Sequence, residues 1–340
     1  MPAATGSTLE RVKRRLRLNK GEMSAFGSER SFDMPVGERW RGEDQIRGYY
    51  IDFRNKCEEP VWPPFWLGGP REYHVATAQW GLGAFERYLH GEGEAWLQAA
   101  RGAAQTLLEA QHSGGPRDGG WTHDNPLPHT YYLAPGWISA ITQGEGASLL
   151  TRLHLETGEE HYAEAARRAL SPMEVEVEAG GVLTHLEGAP FVEEYPTAIA
   201  SCVLNGAIFG LWGYYDVARD LGDAQAGARF ETLVDALAEN LWRYDTGFWS
   251  RYELYPHLIS NVATPAYHAL HIKQLQVLDE LAPRPQIGLI AQRFEEYRAS
   301  GLGRRRALAQ KVAFRIAVPR NQLFARRLPW NRRAWAGMRG

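Results

Sequence analysis

Apolar residues recur at intervals of three and four along eight separate stretches of this chain, and that pattern leaves few folds open. Leu204, Ala207, Ile208, Leu211 and Tyr215 mark one stretch, and Phe230, Leu233, Val234, Leu237 and Leu241 mark the next. Similar stripes predict helices over approximately 73–89, 95–111, 137–156, 160–170, 266–281 and 287–299, so that eight helices form four successive hairpins. Strand signals are few. Residues 173–177 alternate, Gly180-Gly181 supplies a turn and residues 182–186 return, which predicts one hairpin; residues 49–53 read as another short strand. No repeat is visible at the level of residues. The fold expected is mainly α: an α/α toroid of about four helical hairpins with short β-hairpins at its rim. An open helical solenoid competes, but long loops rich in Trp, Tyr, Gly and Pro suit a cleft better.

The 340 residues suffice for a large core. A net charge of -2 gives no global pull toward nucleic acid, and two cysteines, Cys57 and Cys202, exclude a disulfide scaffold and a four-cysteine zinc site. Charge is uneven, however: residues 301–340 hold eleven basic side chains and no acidic one. The organisation expected is an N-terminal segment with short strands over 1–72, a helical domain over 73–300 and a basic tail over 301–340. The tail reads as a basic amphipathic helix on an anionic membrane or glycan, or as a solvated extension; its removal is expected to lower membrane or polymer association and to leave the fold intact. Neither a signal peptide nor an 18-residue apolar run is found, so the protein is expected in the cytoplasm, with peripheral membrane contact through the tail in the first of those readings. A homodimer is compatible with the sequence. The 12 Trp and 15 Tyr fit either an irregular core or a cleft in which flat rings stack on sugars.

Familiar catalytic signatures are missing. No Gly-rich phosphate loop and no dinucleotide fingerprint occurs, so no nicotinamide cofactor is expected. His268 and His271 are spaced for one helix face but lack an obvious third metal ligand, and no metal is assigned. Three stretches are over-specified for plain helix: Pro135 to Gly144; Glu193-Glu194-Tyr195-Pro196-Thr197 followed by Val203-Leu204-Asn205-Gly206; and Tyr244-Asp245-Thr246-Gly247 through Tyr252 to Tyr267-His268-Ala269-Leu270-His271. With Ala78-Gln79-Trp80-Gly81-Leu82 and Gly119-Gly120-Trp121, their order resembles the catalytic region of the D-glucuronyl C5-epimerases, over approximately Tyr73 to Ser300. That family converts glucuronate to iduronate within heparosan-type polysaccharides. Its pattern places a β-rich module, with a calcium site in animal members, before the helical barrel. Here Leu82 is followed almost at once by the next helix at about Glu94, so the module and its calcium are not carried over.

The reaction implied by the resemblance accounts for the residue types. Carbon 5 lies α to a carboxylate, and inversion there needs an acid/base group on each face of the sugar and a partner for the carboxylate. By motif, Tyr252 and Tyr267 are the paired acid/base groups, with Glu194 and Tyr195 assisting, and Asn205 and Asn261 match asparagines that contact substrate. His268, Arg251 and Trp137 complete the substrate-binding candidates. Taken singly, Tyr195 reads as a turn aromatic, Glu193 as a solvated neighbour of Glu194 and His268 as an orienter of other residues. The chain departs from the family pattern at Tyr255, at Thr264-Pro265-Ala266, at Phe209 and at Asn125-Pro126-Leu127-Pro128, where anion-binding or polar residues are replaced; Arg251 or Arg71 is the candidate substitute cation. The expectation is thus an isomerase acting on an acidic polysaccharide. Its rivals are a lyase on the same scaffold and a non-catalytic uronan-binding protein. A hydrolase, which needs two opposed carboxylates, fits less well.

Overall fold

The computed structural model of the protein describes residues 35–41, 46–61, 74–124, 127–128 and 130–318. Arg71, residues 1–34 of the N-terminal segment and residues 319–340 of the basic run lie outside them. Eight helices pair as expected: α1 (His74–Leu89) with α2 (Glu94–Ala110), α3 (Ala140–Thr157) with α4 (Glu160–Ala169), α5 (Leu204–Asp220) with α6 (Ala224–Asn240), and α7 (Pro265–Leu281) with α8 (Pro285–Ala299). A ninth, α9 (Gly301–Ala317), packs on α8. Helices α1, α3, α5 and α7 follow one another around the inside, and their partners stand outside them. Burial separates the two sets. In α3 every residue from Thr142 to Leu153 is buried, and in α5 every residue from Leu204 to Tyr214. By contrast, α6 buries a stripe built on Phe230, Leu233, Val234 and Leu237. A helix buried all round has neighbours on every side, whereas a striped one faces solvent. The molecule is an α/α toroid.

Local signals fix where the helices begin. Asp223 accepts a hydrogen bond from the Ala226 amide, Thr264 from that of Tyr267 and Ser300 from that of Gly303. Pro265 then occupies the first turn of α7, where its missing N–H is no loss. The stretch Thr264-Pro265-Ala266, a departure from the family pattern, is therefore the helix start that sets Tyr267.

The hairpin forms later than expected. Residues 171–174 and 177–179 are short 3₁₀ turns, and the strands are β3 (Leu183–Leu186) and β4 (Ala189–Val192), joined through Glu187 and Gly188 at φ 54° and 85°. Two left-handed residues make the tight turn whose twist matches a hairpin. Pro172 starts the first 3₁₀ turn and Met173 is buried beneath it, so the alternation over 173–177 serves the core rather than a sheet. A smaller pair, β1 (Leu127–Pro128) and β2 (Tyr132–Leu133), also lies among the rim loops. Among the described residues, 49–53 make one bridge, Ile51 to Val36, and spend their rings on the core: Tyr50 and Trp212 sit 4.7 Å apart and Phe53 packs near Phe209. Nor is the basic run an extension over its first half. Ala307, Lys311, Phe314 and Arg315 of α9 are buried. No helix among the described residues is long and apolar enough to cross a membrane.

Candidate active site

At one end of the inner helices, three segments converge. The first leaves β4 at Glu193. The Glu193 backbone bonds across to Val182 and to Ala140 at the start of α3. Its carboxylate closes the loop on itself, accepting from the Ser201 amide at 2.7 Å, the Ser201 hydroxyl at 2.6 Å and the Cys202 amide at 3.1 Å. Cys202 is held at φ 46° to make that last bond. Glu193 is fully buried, not a solvated neighbour. It is the clasp that turns Glu194 inward.

Glu194 is 6% exposed and takes side-chain hydrogen bonds from Tyr195, Asn205 and Tyr252, the Asn205 bond at 3.1 Å. Gly206 is required here, because a Cβ on it would lie 2.4 Å from the Glu194 Cβ. Burial pushes the Glu194 carboxyl up to about 7, against the pull of those three bonds. Its protonated form is thereby favoured over that of an exposed carboxyl, and in that form it can donate a hydrogen bond. Burial also pushes the Tyr195 hydroxyl well above its ordinary value, and the neighbouring Glu194, Tyr252 and Tyr267 add to this.

The second segment carries Tyr252, whose amide donates to the Asn261 carbonyl at 2.8 Å and whose carbonyl accepts from the first amide of α5. The third is the first turn of α7, with Tyr267. The two tyrosine rings meet edge to face at 5.0 Å, Tyr252 only 5% exposed and Tyr267 38%. One phenol thus belongs to the wall and the other to the opening.

The structure brings together Glu194, Tyr195, Asn205, Tyr252 and Tyr267, and Trp137 stands 6.2 Å from the Tyr195 ring. It does not bring in the other three candidates. His268 is fully buried, stacked on Trp249 at 3.8 Å, with Nδ1 engaged by the Ser250 hydroxyl and Nε2 by the Phe294 carbonyl. Burial pushes it down to about 3, so it sits neutral behind the site. The Asn261 amide is committed at both ends, donating to Glu253 and accepting from Lys311. Arg251 lies one residue along an extended stretch from Tyr252, and alternation sends its side chain to the other face.

Four participants were not singled out from the sequence. Glu145 of α3 is fully buried with one oxygen unpaired; its other oxygen accepts from Gln79 at 2.9 Å, and Gln79 in turn accepts from Lys56. Burial pushes Glu145 up to about 8, with the nearby Glu194 adding to the rise. The signal was Gly144-Glu145-Gly146. A carboxylate between two glycines inside a helix marks close packing, here against the Phe209 carbonyl and the Trp121 ring. Tyr131, at 5.7 Å from Tyr195 and 5.1 Å from Tyr255, extends an aromatic rim. Among the described residues no group of three or more His, Cys, Asp or Glu side chains gathers as a metal site.

The family model described as the D-glucuronyl C5-epimerase C-terminus matches residues 117–296. The chain belongs to this family. Glu194, Tyr195, Tyr252 and Tyr267 all fall inside the match, whereas Lys56, Gln79 and α9 fall outside it. The D-glucuronyl C5-epimerase of Caenorhabditis elegans is 32% identical over 192 residues, which are 51% of this chain and 30% of the worm protein. An uncharacterized protein of Methanocaldococcus jannaschii is 28% identical over 162 residues, 46% of this chain and 50% of that one. The chain thus spans half or less of these relatives' lengths. Two solved structures are also similar: a GH76 α-mannanase of Bacteroides thetaiotaomicron (TM-score 0.45, 13% identity, 82% of this chain and 71% of that one) and the cellobiose 2-epimerase of Bacillus thermoamylovorans (TM-score 0.48, 15% identity, 84% and 72%).

Proposed function

We propose that this chain is a carbohydrate epimerase that inverts carbon 5 of glucuronate units in an acidic polysaccharide. The observation that carries the reading is the edge-to-face pair Tyr252–Tyr267 beside a carboxyl pushed up to about 7. In the forward step one tyrosine, as its phenolate, takes the proton from carbon 5. The electron pair left on carbon 5 delocalises into the sugar carboxylate. Protonated Glu194, helped by the Tyr195 hydroxyl, donates hydrogen bonds to that carboxylate as its charge grows, the point at which a fixed donor accelerates most. The second tyrosine then returns a proton to the opposite face, which leaves the ring inverted and each tyrosine in the other's starting state. Two one-proton groups suffice, so chain length is conserved and no redox partner is consumed. Trp137 and Tyr131, buried around Tyr195, support the edge of the site from behind.

The test is incubation of the protein with glucuronate-containing polysaccharides in heavy water, followed by proton NMR. Deuterium should enter at carbon 5 and iduronate signals should appear at constant chain length. An ultraviolet-absorbing unsaturated uronate would instead mark a lyase. Tight binding without exchange on every uronan tried would mark a glycan-binding protein.

A further inference from the structure

The second half of the site is held by a helix that the family match does not reach. Helix α9 begins after Ser300 and its inner face meets both loops that flank the tyrosines. Lys311, only 3% exposed, donates from Nζ to the Asn261 side-chain oxygen at 2.7 Å and to the Val262 carbonyl at 2.9 Å. The preceding residue, Gln310, donates to the Ser260 carbonyl at 2.9 Å. Arg315, 4% exposed, donates to the Thr130 hydroxyl at 3.2 Å, next to Tyr131. The chain of contacts continues inward. Asn261 passes its amide hydrogen to Glu253 at 2.7 Å, and Glu253 also holds His257 at 2.9 Å. The Asn261 carbonyl takes the Tyr252 amide.

A buried ammonium is costly unless paired. Here it is held by the Asn261 side chain, which in turn donates to the buried Glu253, and by the Val262 carbonyl on the segment that carries Tyr252. A mere cover for the core would not need it: Ala307 and Phe314 already supply the apolar contacts of α9.

We propose that α9 is a strut of the active site and that Lys311 is a positioning residue, fixing the Asn261 amide and through it the Tyr252 ring. The proposal rests on the reading of Tyr252 as an acid/base group. It assigns the basic run after Ser300 a task inside the molecule.

The test compares Lys311→Met with Leu308→Ala, a change on the same helix in the apolar cluster beside it. Each protein also carries 3-fluorotyrosine at position 252. Lys311→Met should lower kcat at least tenfold with KM within about twofold, since misplacement by about an ångström costs up to a hundredfold. It should also shift or broaden the fluorine line, and Leu308→Ala should do neither. Wild-type kcat and an unmoved fluorine line in Lys311→Met overturn the proposal, whatever Tyr252→Phe does. If Tyr252→Phe turns over at the wild-type rate, the reading of that tyrosine fails instead, and the fluorine line alone decides whether Lys311 positions the ring. It decides equally where no uronan is turned over. Should Lys311→Met not fold, Lys311→Gln, which keeps one donor without the charge, carries the same comparison.

Discussion

The same two helices carry two buried charge clusters of opposite character. On α3, Glu145 and Arg152 are seven residues apart, two turns and about 10 Å along one face. On α5, Asn205 and Asp216 are similarly aligned over three turns. At the Arg152 end the carboxylates of α5 are paired with arginines. Arg152 meets Asp216 at 2.6 Å and donates to the carbonyls of Arg47, Gly48 and Ser148; Tyr50 donates to Asp216 at 2.6 Å, and Arg47 pairs with Asp220 at 2.8 Å. At the Glu145 end, burial leaves three carboxyls, Glu145, Glu193 and Glu194, pushed up to about 8, 7 and 7. Paired ions make a structural brace. Carboxyls left short of cations become acids that exchange protons near neutrality, which is what a proton-transfer site requires.

That contrast is broken most forcefully at the tyrosines. Tyr252→Phe and Tyr267→Phe each remove one oxygen and keep the ring. Loss of a general acid or base typically costs about a hundred- to ten-thousand-fold in rate, and carbon-5 inversion should fall by that much in each variant with little change in Tm. Wild-type rates in both would remove the tyrosine assignment. A converse effect belongs to the brace: Asp216→Asn leaves Arg152 buried and short of its counter-charge, a lesion worth about 3–5 kcal/mol. Denaturant unfolding should register it, while the folded fraction keeps its kcat. If kcat instead drops with stability unchanged, the two clusters are not functionally separate.

The smallest effect is the most diagnostic of the carboxyls. Glu145 has its folded value raised from 4.5 to about 8, so its contribution to stability is complete below pH 4.5 and is lost as pH climbs through 8. Glu193 and Glu194 act in the same sense but finish near 7. The buried histidines act oppositely, and their contribution is lost only as pH falls below 6.5. Wild-type Tm should therefore decline between pH 6.5 and 8, and Glu145→Gln should flatten part of that decline. An identical slope in the variant would mean that Glu145 is already ionised in the folded protein.

How much of this was legible in the sequence depends on the range of the interaction that decides it. Helices were readable because a 3.6-residue period is written along the chain, and the start of α7 at Thr264-Pro265 because capping is local. The hairpin was misplaced because residues 173–177 alternate for a core reason that only Pro172 and the neighbouring packing reveal. Glu194, Tyr195, Tyr252 and Tyr267 came from ordered motifs, and the structure gathers them. His268 and Asn261 sit in the same motifs yet face away, since spacing cannot say whether a polar side chain ends in the cleft or behind it. The pairing of Glu145 with Gln79 and the burial of Lys311 were not legible for the opposite reason. Their partners are 66 and 50 residues away, and nothing local marks a lysine that will be buried.

The helices α3 and α5 meet on glycine. A Cβ at Gly144 would stand 2.1 Å from the Phe209 carbonyl, and one at Gly213 would stand 2.5 Å from the Cα of Gly144. With backbone against backbone there is no layer of side chains to repack, so this seam cannot drift by small substitutions. Evolutionary change is channelled to the rim loops, where Tyr131, Trp137 and Tyr255 can be exchanged without moving the helices that set Asn205 and Glu145. A lineage built on this seam can vary the rim of its cleft while the buried carboxyls keep their places, and a directed-evolution library confined to those three rim positions would explore the cleft on an unaltered frame.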